Sequence, residues 1–370
     1  MQPDLKQMYR TAHVGDFPKN FSWMGVEYEK VEDLRYGTNP HQPAAFYRPV
    51  NRDNLVVGRY EILKSGKSGL SQTNLEDIHH AVGILKYFTA PTCAVMKHCN
   101  PSGVATQRGD MSLDTVYERA RDADAQAAFG GVVVFNVAVD APTAERIMET
   151  VVECVAAPGF SEEALALLHD ADRFKRNRDL RIIRLPQYHL LPRYVGDTPT
   201  LEVRVFDDGS LVCAHGFLTR MRSVDDFVPA YNEHPKRGRI ECIRRPTREE
   251  LEDLLFAWYV NFHVRSNGVV IARNGQTLAV GTGQQDRVGA VEQALEKAKR
   301  KYKGSESLTG AVMASDGFFP FRDAIDAAAA AGISAIAQPG GSVNDYEAIA
   351  ACNEHNVAMM FTLERCFSHH

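Results

Sequence analysis

No stretch of this sequence approaches the roughly 18 consecutive apolar residues that a membrane-spanning helix needs, so no membrane segment is predicted. The opening residues, MQPDLKQMYRTAHVGDF, lack the apolar core of a secretory leader. Cysteine is sparse: the 7 present (Cys93, Cys99, Cys154, Cys213, Cys242, Cys352 and Cys366) are odd in number and scattered, with no C-x-x-C pair. That argues against a disulfide framework and predicts reduced thiols in a cytoplasmic protein. The G-x-x-x-x-G-K-[ST] loop of ATP chemistry is missing, and the G-x-G at 281–283 lacks the third glycine of a nicotinamide-dinucleotide fingerprint. Neither H-x-E with P-C-x-x-C nor any clustered His/Cys spacing suits zinc. The formal net charge of -5 gives no basic excess for nucleic acid or an anionic membrane surface.

What is present is ordinary globular material: 370 residues, 44% hydrophobic and 24% charged, enough for two units at roughly 100–200 residues each. The second half reads as α/β. Thr247 and Glu250 fit a capping box, and Leu251, Leu254, Leu255, Trp258 and Phe262 follow at helical spacing. GVVIARNGQTLAVG (268–281) predicts a hairpin turning at Asn274-Gly275. RVGAVEQALEKAKRKY (287–302) returns to helix. GAVMAS, FRDAIDAAAAAG, ISAIAQ, YEAIAACNEHN and VAMMFT then alternate as strand and helix, the pattern of a parallel sheet with crossover helices. The first half repeats this rhythm more faintly. TCAVMK and GGVVVFN are strand-like, LDTVYERARDADAQAAF is a helix between them, and ECVAAPG, a helix at 161–169 and LRIIRL follow. His79-His80 reads as a helix-surface pair. Periodicity is weakest around 186–240.

Five islands could carry chemistry. In LRYGTNPHQPAAFY (34–47), Arg35 beside Tyr36 suits a phosphate, because a guanidinium makes paired charge-assisted hydrogen bonds; a solvated loop arginine is the bland alternative. In TCAVMKHCNPSGVA (92–105), an apolar run carries into Lys97-His98 before a turn expected through Asn100-Pro101-Ser102-Gly103. Adjacent cations disfavour charge on the imidazole, and a neutral histidine can accept a proton, while Lys97 can face a developing negative charge. An ordinary strand end is the competing reading. FGG at 129–131 marks a tight backbone approach. VRSNGVV and GTGQQDRVG place Asn267 before a strand and Arg287 at a helix start. SDGFFPFRD, QPGGSVND and ERCFSHH form three polar exits from successive strands, where ligands of open parallel sheets bind.

LRYGTNPHQ, KHCNPSGVA, AAFGG, RSNGVVIARNGQT, GTGQQDRV, SDGFFPFRDAIDAAAAAGISAIAQPGGS and RCFSHH occur in the order seen in 5-aminoimidazole-4-carboxamide ribonucleotide (AICAR) transformylases. From about Leu34 to His370 the chain resembles that family, the formyltransferase part of the bifunctional purine-biosynthesis enzyme. The resemblance implies an α/β fold of two cytidine-deaminase-like three-layer α/β/α lobes without zinc. It divides the chain into an N-terminal segment (1–33), a first lobe (34–195), an irregular connecting region (196–240) and a second lobe (241–370). It implies a homodimer with active sites at the subunit interface. Only some 30 residues precede LRYG, so a stand-alone form is expected, functionally linked to a separate IMP cyclohydrolase.

The implied reaction moves a formyl group from 10-formyltetrahydrofolate, the co-substrate, to the 5-amino group of AICAR, giving FAICAR and tetrahydrofolate. Neither zinc, nicotinamide nor ATP is called for, and a potassium ion is left open. Carried over by motif, His98 is the proton acceptor, with Lys97 and Asn267 stabilising the transition state. Arg35, Tyr36, Asn74, Gly130, Glu153, Phe318, Arg365 and His369 fall at AICAR-contacting positions. Arg287, Val288, Asp323, Ser342 and Val343 fall on the folate side. The chain departs from the family at NPSG, where cysteine often precedes the glycine, at Gly317 for alanine, and at Asp286 for serine. Two other readings stand beside this one: a catalytically silent AICAR- or nucleotide-binding protein on the same fold, and an enzyme using another one-carbon donor such as formate.

Overall fold

Local chemistry sets the frame of each unit in the same way. In the computed structural model, which describes residues 14–301 and 307–369, the chain forms two units divided between Leu190 and Leu191. In the first, Ser71 caps helix α1 (Gln72–Leu85): its hydroxyl accepts from Asn74 N–H at 3.2 Å, and the Asn74 side chain accepts from Ser71 N–H at 3.1 Å. A mixed sheet follows the order β6-β5-β7-β8-β9-β4, from β4 (Glu61–Lys64), β5 (Thr92–Lys97), β6 (Asn100–Thr106), β7 (Gly131–Phe135), β8 (Val152–Ala157) and β9 (Arg181–Arg184). The β5–β6 and β5–β7 pairs are antiparallel, whereas β7, β8 and β9 run parallel.

Strand alternation sends Cys93 and Val95 to one face of this sheet and Ala94 and Met96 to the other. The first face packs on α2 (Leu113–Asp122), α4 (Ala141–Met148) and α5 (Glu162–His169) through Val116, Tyr117, Ile147 and Leu168. Helix α1 covers the other face. The helix expected over LDTVYERARDADAQAAF breaks in two. Asp124 accepts from Ala127 N–H at 3.1 Å and starts a separate short helix, α3 (Ala125–Ala128), because an aspartate competes well for free N–H groups at a helix start.

Ahead of this sheet, β1 (Asn20–Trp23), β2 (Val26–Leu34) and β3 (Ala44–Pro49) make a separate antiparallel sheet. The boundary drawn between 33 and 34 therefore cuts through β2. His80 is buried on α1, unlike the surface pair expected of His79-His80.

The second unit repeats the plan. Thr247 caps α6 (Arg248–Asn261) in the capping box expected with Glu250. Its sheet follows β16-β15-β17-β18-β19-β12, from β12 (Val228–Pro229), β15 (Val269–Arg273), β16 (Gln276–Gly281), β17 (Val312–Ser315), β18 (Ala335–Gln338) and β19 (Ala358–Phe361). Again a hairpin and one antiparallel neighbour lead into a parallel run. Both sheets are thus mixed: in the second, the expected hairpin is antiparallel and the strands alternating with helices after it run parallel, as expected.

Asn274 and Gly275 both take positive φ, and the buried Asp253 carboxylate accepts their N–H groups at 2.6 and 2.8 Å. One face of this sheet packs on α7 (Arg287–Lys301), α8 (Asp323–Ala330) and α9 (Asp345–Glu354); α6 covers the other with Leu254 and Trp258 fully buried. Each such side chain stabilises by about 1.5–3 kcal/mol.

One glycine in each unit marks the close packing. A Cβ on Gly103 in β6 would lie 2.0 Å from Ala120 O on α2, and one on Gly281 in β16 would lie 2.0 Å from Ala290 O on α7. The same strand–helix contact thus recurs in both units although no sequence repeat is visible.

The stretch 196–240 is more ordered than its weak periodicity predicts. β10 (Leu201–Val205) pairs with β11 (Leu211–His215), and β13 (Tyr231–His234) with β14 (Gly238–Glu241). Solvent-exposed hairpins lack the buried face that makes alternation readable. Tyr302, at the end of the helix expected over 287–302, His370 of the SHH terminus and residues 1–13 of the N-terminal segment lie outside the described residues.

Candidate active site

In the first unit the turn begins two residues earlier than expected. Lys97 pairs with Asn100, so His98 and Cys99 alone make the β5–β6 turn, both with positive φ, and NPSG begins β6. This is the geometry of a primed two-residue turn, which usually recruits glycine or asparagine. Here a buried carboxylate holds it: Asp77 Oδ1, on α1, accepts from Cys99 N–H at 2.7 Å. The His98 imidazole stands exposed at the tip. Beside it Lys97 Nζ donates to Gly130 O at 2.6 Å, and Gly130 takes positive φ directly after α3.

Burial pushes the Asp77 carboxyl up to about 7, against the opposing pull of the Cys99 N–H and of Lys97. Burial, with Asp77 and Glu76 nearby, pushes the Cys99 thiol up to about 12, so it remains a thiol at neutral pH and is no nucleophile.

A second cluster centres on Glu153. Its Oε1 accepts from Arg35 Nη2 at 3.3 Å and from Arg181 Nη1 at 3.4 Å. Both guanidiniums are buried. Arg181 also donates to Gly69 O at 2.5 Å and Lys67 O at 3.2 Å, tying down the loop before α1. Burial, then repulsion from Arg35, draws its pKa down, with Glu153 pulling the other way. Two cations on one carboxylate leave a positive excess, and Arg35 Nε is buried with no hydrogen-bond partner among the described residues. Arg35 lies 4.4 Å from the Tyr36 ring centroid. The predicted Arg35, Tyr36, Lys97, His98, Gly130 and Glu153 thus fall on neighbouring strand and loop ends. Asn74 joins them as a buried residue whose side-chain oxygen is taken by the α1 cap.

In the second unit the buried Asp316, following β17, is the organising group. It pairs with Arg287 and accepts from the Ser266 hydroxyl, and from Gly268 N–H at 2.9 Å. Asn267 N–H and Nδ2 both donate to Gln284 O, at 3.0 and 2.8 Å. The C-terminal segment is pinned alongside: Ser266 N–H donates to Ser368 O, and Cys366 N–H to Asp316 O. That brings the Phe367 ring near both Arg287 and Arg365, at guanidinium distances of 5.8 and 4.7 Å, and its centroid lies 6.0 Å from that of the His369 ring. Arg287 and Asn267, from the island before and after the β15–β16 hairpin, are thus brought near Arg365 and His369 of the last strand exit.

The remaining predicted residues are more dispersed. Phe318 is exposed just after Asp316. Asp345 accepts from Gly341 and Ser342 N–H, at 2.7 and 3.0 Å, and the loop it shapes holds Val343 88% exposed. Val288 instead leans on the apolar core, and the carboxylate of Asp323, the first residue of α8, accepts from Ala324 N–H at 2.8 Å. Asp286, the departure at the α7 start, accepts from Gly289 N–H at 2.6 Å, so its charge faces the helix N-terminus.

Sequence reasoning assigned no site role to Asp77, Arg181, Ser266 or Phe367. Asp77 lies one helical turn after Asn74, and that spacing was its one available signal.

The model of the AICARFT/IMPCHase bienzyme family matches residues 5–297. The bifunctional purine biosynthesis protein PurH of Acetivibrio thermocellus is 39% identical over 364 residues, covering 98% of this chain and 63% of that protein. Its counterpart in Persephonella marina is 40% identical over 354 residues, covering 95% and 62%. That of Trichodesmium erythraeum is 40% identical over 343 residues, covering 92% and 59%. The chain spans less than two thirds of the length of these relatives.

Proposed function

The chain belongs to the AICARFT/IMPCHase bienzyme family, and from that premise we propose that it transfers the formyl group of 10-formyltetrahydrofolate to the 5-amino group of AICAR. The observation that carries this reading is the left-handed His98-Cys99 turn. It holds an exposed imidazole next to an ammonium fixed on Gly130 O, with Asp77 clamping the turn from behind.

The substrate amine is a weak nucleophile, its lone pair delocalised into the ring and carboxamide. Holding it against the formyl carbon supplies much of the rate, with effective molarities reaching ~10⁵ M or more. As the N–C bond forms, His98 takes the amine proton, a contribution of about 10²–10⁴-fold. The formyl oxygen becomes an oxyanion that Lys97 and Asn267 stabilise. The intermediate then collapses: the carbon–N10 bond breaks and the imidazolium returns its proton to N10, releasing tetrahydrofolate and FAICAR.

Arg35 with Tyr36, and Arg365, suit the AICAR phosphate; the unpartnered Arg35 Nε supports this assignment. Asn74, Gly130, Glu153, Phe318 and His369 complete the AICAR contacts. Arg287, Val288, Asp323, Ser342 and Val343 are assigned to folate. The working unit is a homodimer.

The test mixes the purified protein with AICAR and 10-formyltetrahydrofolate and follows tetrahydrofolate absorbance, with and without potassium, while looking for IMP. Folate-dependent FAICAR formation without IMP is expected. No turnover from intact protein that binds AICAR would favour a silent binder, and IMP would show that ring closure is not left to a separate protein.

A further inference from the structure

A buried arginine wholly spent on the protein stands beside one that is not. Arg181 is 3% exposed, and all three of its guanidinium nitrogens donate to protein oxygens. Nε reaches Gly69 O at 2.5 Å and Nη2 reaches Lys67 O at 3.2 Å, while Nη1 lies 3.4 Å from both the Glu153 carbonyl oxygen and Oε1. Arg35 is 6% exposed; its Nη2 donates to the same Oε1 at 3.3 Å, and its Nε has no partner among the described residues. A buried N–H left unpaired is costly, and an anion that accepts from it removes the cost.

The loop that Arg181 holds is also the seat of Arg35. Arg35 N–H donates to Leu70 O at 2.8 Å, and Tyr36 O accepts from Gln72 N–H at 3.0 Å. The loop lies tight on the start of β9: a Cβ on Gly66 would be 2.3 Å from Asp179 O and 3.1 Å from Arg181 Cγ. Charge adds to this fixing. Arg35 with Glu153 alone would be a neutral pair with little pull on an anion. Because Arg181 shares the carboxylate, two guanidiniums face one negative charge and a single positive charge is left over. The two cations repel, as the lowered pKa of Arg181 reflects, and an arriving phosphate relieves that repulsion.

We propose that Arg181 is a positioning residue of the AICAR phosphate pocket: it takes up the charge of Glu153 and seats the Arg35 loop, so that Arg35 keeps its own charge for the phosphate. Arg181 itself touches no ligand. This deepens the AICAR reading above and rests on its placing of the phosphate at Arg35.

Calorimetry reads the dissociation constants of AICAR and of its phosphate-free riboside for the wild type, Arg181→Gln, Glu153→Gln and the double variant. The ratio of the two constants isolates the phosphate, since contacts common to both ligands, those of Glu153 included, cancel. Arg181→Gln leaves Arg35 neutralised by Glu153, so the riboside-to-AICAR ratio falls by roughly tenfold. Glu153→Gln leaves two cations unopposed and raises the ratio. The double variant keeps Arg35 as the one charge of the three and returns the ratio to near the wild-type value. An arginine that merely ties down a loop would weaken both ligands alike. An unchanged ratio in Arg181→Gln, or a double variant no better than that single one, would therefore overturn the proposal. If Arg181→Gln does not fold, Glu153→Gln decides alone, because its side chain is 35% exposed and tolerates the change; a ratio that does not rise would overturn the proposal. A wild-type chain that binds AICAR no tighter than the riboside would refute the phosphate assignment to Arg35 as well, and one that does not bind AICAR would refute the functional reading itself.

Discussion

Asp77→Asn tests how the His98-Cys99 turn is held. The native carboxyl is buried, and its pKa is raised from 3.8 to about 7, burial being the main cause. Below pH 4 the carboxyl is protonated in both the folded and the unfolded chain and costs nothing. Between about 4 and 7 the unfolded chain releases its proton while the folded chain retains it, so stability falls with rising pH. Above 7 both forms are ionised and the penalty is constant. At about 1.4 kcal/mol per pH unit, the full loss is on the order of 4 kcal/mol. Asparagine keeps an oxygen for the Cys99 N–H but cannot ionise, so it escapes this loss. The variant should therefore melt only modestly above the wild type at pH 5, where roughly a third of the loss has accrued, and several degrees above it at pH 8. Differential scanning calorimetry of both proteins across pH 5–8 reads the difference directly and cancels every other titrating group. A midpoint difference that does not change with pH would refute the account of a carboxylate ionising at a cost beneath the turn.

Three further outcomes follow from the packing and the proposed chemistry. His98→Ala should lower formyl transfer by about 10²–10⁴-fold while calorimetry still detects AICAR binding, since the imidazole is exposed at the turn tip and supports no core; lost binding would contradict its role as base. Arg365→Ala should weaken AICAR binding by roughly 10–100-fold, the worth of a charge-assisted phosphate contact, and an unchanged dissociation constant would remove it from the phosphate pocket. Gly281→Ala places a methyl 2.0 Å from a helix carbonyl oxygen that cannot step aside. It should destabilise by about 1–3 kcal/mol or more in urea unfolding, and a neutral result would mean that α7 moves freely on its sheet.

The readable parts of this protein were those whose chemistry is local. Thr247 with Glu250 and Asn274 with Gly275 declare a helix start and a hairpin within four residues, and both form as written. The exits after β17, β18 and β19, which carry Asp316, Ser342 and Arg365, were legible because a parallel run puts its strand ends on one side. The motifs carried the family and hence the candidate residues. They did not carry how those residues are held.

The His98-Cys99 turn contradicts ordinary turn preference, which pointed to NPSG. It stands because Asp77, 22 positions away, supplies an acceptor for the turn's N–H. Arg35 and Glu153 are 118 positions apart, and Arg181 joins them only when β8 and β9 lie side by side. Local propensity, then, determined where helices and hairpins begin; only the folded chain decided which buried charges meet. The physical reason is that caps and turns are satisfied by neighbours along the backbone. A buried charge must instead find its partner through space, and the packing of the sheets selects that partner.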